Sequence, residues 1–120
     1  MERRLKITLL AINERDREKG LMFSEPLPDD ECGLFVFDRP SRQSFWNKNV
    51  SFPIDVAFFD MGGSLVHVAQ LEANQEQPVN SKDYNVKYVI ETRKDWFSDR
   101  NVHIGTKFWD LIDITHLKGK

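Results

Sequence analysis

The chain has 120 residues, a length near the commonest domain size, so a single domain over 1–120 with its core between about 5 and 114 is expected. Its 17 basic and 19 acidic residues nearly cancel to a formal charge of −2, which argues against a nucleic-acid binder that works by neutralising phosphates. The single cysteine, Cys32, excludes an internal disulfide and a paired-cysteine zinc site.

Leu5, Ile7, Leu9 and Ala11 alternate with Lys6, Thr8, Leu10 and Ile12, the period of a first strand with one firmly apolar face. The basic residues before it read as a solvated terminus. The apolar run 7–12 is too short for a signal-peptide core or a membrane span, so a soluble chain without either segment is expected. Asn13 fits a helix N-cap, Glu14 and Asp16 the first turn, Lys19 the last turn and Gly20 the position after it, which predicts a helix of about two turns. Leu21, Met22 and Phe23 form an apolar plug ahead of a turn-rich loop with Pro26, Pro28, Asp29, Asp30 and Glu31. The acids lack the alternating ligands and central glycine of an EF-hand and read as a solvated surface.

Residues 33–37 read as an interior strand, apolar on both faces. After a turn at 38–41 the chain extends again through Phe45 and Trp46, and Asn47, Lys48 and Asn49 interrupt it as a tight loop or bulge, since Asn tolerates left-handed angles. Ile54, Val56 and Phe58 fall on one face of the next strand, and Asp55, Ala57 and Phe59 on the other. Paired glycines at 62 and 63 predict the turn of a hairpin that returns through Leu71. Residues 72–86 form a long polar loop, Tyr88 to Ile90 a strand ending at Glu91, residues 96–100 a short helix or turn, and residues 107–114 a closing strand. The fold class expected is α+β, a small, mainly antiparallel β-barrel-like domain with one or two short helices.

Gly20-Leu21-Met22-Phe23, Gly33-Leu34-Phe35-Val36-Phe37, Phe45-Trp46-Asn47-Lys48-Asn49 and Pro53-Ile54-Asp55-Val56-Ala57-Phe58, in that order, resemble the family called domain of unknown function 192. The resemblance continues through Tyr88-Val89-Ile90-Glu91 and weakly through Trp96 and Ile104-Gly105. It implies a small β-rich domain with a helix near the start, and brings no established reaction. Asn47 departs from the pattern by standing where a methionine is usual.

Asp55 is the most informative ionisable residue, because apolar neighbours on its strand leave a carboxylate in need of a partner. Lys48, Arg17 and loop amides are candidates for that role, in which Asp55 would fix the 47–49 loop. The alternative makes it face a ligand. Trp46, Lys48, Asn49 and Asp55 combine an aromatic surface with a cation, an amide and a carboxylate, the mixture of a polar ligand site. Asp55 and Glu91 are the candidate catalytic carboxylates if the strands bring them close. His67, His103 and His116 lack the spacing of a metal site, and no cofactor motif is readable. The function expected is a non-catalytic ligand-binding or accessory domain whose partner is a small polar ligand or a protein. The alternatives are a small hydrolase or lyase using the carboxylate pair on a polar or saccharide substrate, and an interaction module pairing through a sheet edge.

Overall fold

The computed structural model describes residues 3–113. In chain order the elements are Leu5–Ala11 (β1), Glu14–Lys19 (α1), Glu31–Ser41 (β2), Ser44–Phe45 (β3), Ile54–Phe59 (β4), Leu65–Leu71 (β5), Val79–Asn80 (β6), Val86–Arg93 (β7), Trp96–Asp99 (α2), a 3-10 turn at Phe108–Asp110 and Ile112–Asp113 (β8). The Asn13 side chain accepts a hydrogen bond from the Asp16 amide at 2.8 Å, and Gly20 leaves α1 with φ at 49°, so the capping read from the sequence is realised at both ends.

Six strands form one sheet in the order β5-β4-β7-β2-β1-β8, and β3 pairs with β6 in a separate two-stranded ribbon. Strand β7 is antiparallel to both β2 and β4, and β4 is antiparallel to β5. Strands β1 and β2 run parallel, which requires the crossover that α1 and the loop after it provide. The barrel expectation is met only in part. The sheet is mostly antiparallel but open, because its edge strands β5 and β8 do not pair. The chain after α2 runs between these edges, Gly105 and Thr106 bonding to Leu65 of β5 and Leu111 accepting from Leu5 of β1.

Both faces of the sheet are covered, and every residue of β4 is buried. Period-two alternation sorts them: Ile54, Val56 and Phe58 join Phe35, Val89 and Leu21 in one core, while Ala57 and Phe59 join Leu34, Ile90, Trp96 and Leu111 in the other. We call these the Val56 face and the Ala57 face. On the Ala57 face Trp96 is fully buried, worth on the order of 4–6 kcal/mol of gross transfer free energy. Its indole N–H donates to the Asp29 carbonyl at 2.8 Å and the Arg100 guanidinium stacks over its ring.

Asp29 is the acceptor for Arg93 and Arg100, and these two guanidiniums, Arg100 first, hold its carboxyl below the ordinary range. Two of the three acids thus pair with bases, Asp30 with Lys6 included, while Glu31 accepts from the Thr8 hydroxyl, and among the described residues no group of acids, histidines and cysteine gathers as a metal site. Burial pushes the Cys32 thiol up to about 12, which makes it an inert core residue. Among the described residues no helix is long and apolar enough to cross a membrane.

The 72–86 segment is less structureless than its composition suggests, since β6 lies within it and Ser81 accepts from the Gln43 amide. Residues 38–41, read as a turn, continue β2 with a register shift between Val36 and Ser41. The closing strand read over 107–114 is instead a 3-10 turn followed by β8 as far as Asp113, and Ile114 lies outside the described residues. In the β4–β5 turn Gly63 takes φ of 84°, and a Cβ there would meet the Trp109 ring at 2.5 Å. Gly63→Ala is accordingly expected to lower unfolding stability by about 2 kcal/mol or more in urea denaturation, and a variant as stable as the parent would contradict this turn geometry.

Candidate functional site

Glu91 stands opposite Gly33 of β2 and Val56 of β4, which places its side chain on the Val56 face. The directly opposed position on β2 thus contributes no side chain over it. Glu91 is only 4 % exposed, and none of the described residues gives its carboxyl a hydrogen bond or an ion pair. Burial alone pushes this carboxyl up to about 8, because desolvation penalises the charged form.

Above the carboxyl lies a cavity of about 880 Å³, bounded by α1 and the Gly20–Met22 turn on one side and by residues 43–50 on the other. Phe35, Phe37, Phe45 and Trp46 give it aromatic walls. Phe45 meets Phe35 edge-on at 5.2 Å between centroids and Phe37 at 6.3 Å, so the rings brace one another. The Arg17 guanidinium lies 5.2 Å from the Phe37 centroid and donates to the Val36 carbonyl at 2.8 Å. The Lys48 ammonium sits 5.4 Å from the centroid of Trp46, whose ring is half exposed at the mouth.

Asn47 is buried in the cavity lining. Its Nδ2 donates to the carbonyls of Phe52 and Glu72 at 3.0 and 2.9 Å. Two carbonyl partners fix which end of the amide carries the nitrogen, and they leave Oδ1 buried without a partner among the described residues. The loop read at 47–49 is present: the Val50 amide donates to the Asn47 carbonyl, and Asn49 adopts φ of 61°. Of the buried residues that line the cavity, Leu21, Phe35, Asn47, Val50 and Glu91, only Asn47 and Glu91 are polar.

The structure brings Trp46, Lys48 and Glu91 to one cavity, and leaves out Asn49 and Asp55. Asn49 is not among the lining residues and offers its carbonyl to the Phe23 amide at 2.9 Å. Asp55 pairs with Thr92 and Gln70 on its neighbouring strands and therefore lies on the Ala57 face. There its Oδ1 accepts from Gln70 Nε2 at 2.8 Å and from the Asp95 amide at 3.0 Å, and its Oδ2 from the Phe97 amide at 3.2 Å. Its partners are thus the first amides of α2 and a glutamine, rather than Lys48 or Arg17. The carboxylate pair is not assembled, because one register step on β7 sends Glu91 and the neighbour of Asp55 to opposite faces.

His67 stacks on Phe58, and burial followed by the charge of Lys82 lowers its basicity. His116 lies outside the described residues. Sequence reasoning missed Phe35 and Phe37, whose spacing of two puts them on one face, and the contribution of α1 to the cavity wall.

A family model described as Uncharacterized ACR, the domain of unknown function 192, matches residues 2–108. No curated protein matches the chain. A solved protein of unknown function from Novosphingobium aromaticivorans is similar at 25% identity with a TM-score of 0.76, over 82% of this chain and 70% of that one. A Sinorhizobium meliloti protein described as a "putative transcription regulator" is similar at 26% identity with a TM-score of 0.78, over 82% of this chain and 76% of that one.

Two stability measurements separate the acids. Asp55→Ala strands the Asp95 and Phe97 amides at the start of α2 and removes one of the two acceptors of Gln70 Nε2, and is expected to cost about 2–4 kcal/mol in urea denaturation, with an unchanged midpoint contradicting its role as anchor of α2. For Glu91 the sign is opposite. Its carboxyl ionises near 4.5 in the unfolded chain and about 8 in the folded one, so folding takes up a proton between those values. Its contribution is complete below pH 4.5 and is lost as pH rises through 8, at up to about 1.4 kcal/mol per pH unit. Glu91→Gln lacks this loss, so its stability relative to the parent should grow between pH 5 and 8; a difference independent of pH would contradict the buried neutral acid.

Proposed function

The chain belongs to the family called domain of unknown function 192, a membership that carries no reaction, and we propose that it is a non-catalytic binding domain which holds a small ligand in the cavity above Glu91. The observation that carries this reading is a buried carboxyl without a partner, open to an aromatic-walled cavity. A ligand that bonds to it gives the carboxyl a directed partner within the cavity.

The cavity volume falls within the range of small-molecule pockets, as does its combination of apolar walls with few directed polar groups. The non-catalytic reading rests on the floor: among its buried lining residues Glu91 is the single titratable group, and Asp55 lies beyond the sheet. The carboxylate pair that the hydrolase or lyase alternative requires is therefore not assembled on this floor. Trp46 at the mouth offers a flat face that a ligand can cover.

A fragment screen followed by amide chemical-shift mapping tests the reading. Binders are expected to perturb Phe35, Phe45, Trp46 and Glu91 together, and Trp46→Ala should weaken them about tenfold while changing stability by less than about 1 kcal/mol. Shifts scattered over the surface, or affinities indifferent to Trp46→Ala, would overturn it.

A further inference from the structure

The polar groups of the cavity floor are unbalanced in a way that specifies the ligand, given the binding role proposed above. Near the floor the Asn47 Nδ2 donor is engaged by two backbone carbonyls, and one Arg17 N–H at the wall by the Val36 carbonyl. The Glu91 carboxyl has no partner among the described residues, and once ionised it presents acceptors alone. A ligand that ionises this carboxyl must therefore bring donors inward. The surrounding rings favour one kind of donor over others, since aromatic faces attract a desolvated cation.

We infer that the cavity takes a compound with a protonated amine or guanidine head, seated on Glu91 and framed by the Phe35 and Phe45 rings. The mouth complements the opposite end of such a compound. Arg15, Arg17, Lys19 and Lys48 line it against Glu14 and Glu18, an excess of two positive charges that suits an anionic tail. None of these six groups bonds to Glu91 or is among the causes that shift its carboxyl, so none already serves as its counter-charge. Seating the cation therefore converts the Glu91 acid to its carboxylate, forms the ion pair, and releases the displaced proton to solvent. The buried pair is then satisfied by hydrogen bonds as well as charge.

A matched series tests this on the intact protein: 4-(aminomethyl)benzoate, 4-(hydroxymethyl)benzoate and benzylamine, titrated calorimetrically at pH 7 in two buffers of different ionisation enthalpy. The aminomethyl compound should bind about tenfold or more tighter than the hydroxymethyl one, and the buffer dependence should show close to one proton released. Glu91→Gln should remove that preference and the proton release while leaving hydroxymethyl binding within about threefold. Equal or tighter binding of the hydroxymethyl compound, or an amine affinity untouched by Glu91→Gln, overturns the amine assignment and leaves the cavity reading standing. If none of the three binds while other fragments map to the cavity, the amine assignment alone fails. If nothing of any class maps there, both fail.

Discussion

The alternation of side chains along β7 is the constraint on which the rest depends, because this strand is hydrogen-bonded on both sides and cannot shift without dismantling the sheet. Val89 and Glu91 are committed to one layer, Ile90 and Thr92 to the other. A one-residue slip would carry Glu91 into the Trp96 core and Ile90 into the cavity. The acid is therefore held beside the aromatic walls by the whole pairing scheme, without any direct bond to its carboxyl. Its cost is carried by the opposite layer, where Asp55, Trp96 and the Asp29 pairs with Arg93 and Arg100 tie α2 and the 24–30 loop to the sheet.

Local features of this fold were legible because they obey short-range rules. Asn13 and Gly20 bound α1, Gly63 turns the β4–β5 hairpin, and the two faces of β4 follow from alternation alone. The open sheet was not legible, since whether β5 meets β8 depends on where the parallel crossover from β1 to β2 leaves the edge strands. The candidate site was legible in fragments. Trp46, Lys48 and Glu91 were each singled out, but joining them requires knowing that β3 and the 46–50 turn fold over the face to which Glu91 points.

Asp55 shows why the other half of the site reading failed. An acid among apolar strand neighbours signals a demand for partners, and two quite different solutions meet that demand: a ligand, or the amides of a helix that starts elsewhere in the chain. Here the solution is α2, forty residues away in sequence, whose amides the carboxylate accepts. Glu91 carries the same signal and has no such solution among the described residues. Two carboxylates with similar sequence surroundings thus take opposite parts, one anchoring the structure and one left open in a cavity. For a member of a family without an assigned reaction, that contrast places the functional question on Glu91.

The most direct measurement is a carbon-13 NMR titration of the Glu91 side-chain carboxyl in protein labelled selectively at glutamate, assigned by comparison with Glu91→Gln. A midpoint near pH 8 is the result predicted for an acid kept neutral and unpartnered under the cavity. A midpoint at the ordinary value near 4.5 would show the carboxyl to be solvated or paired, and would contradict the account.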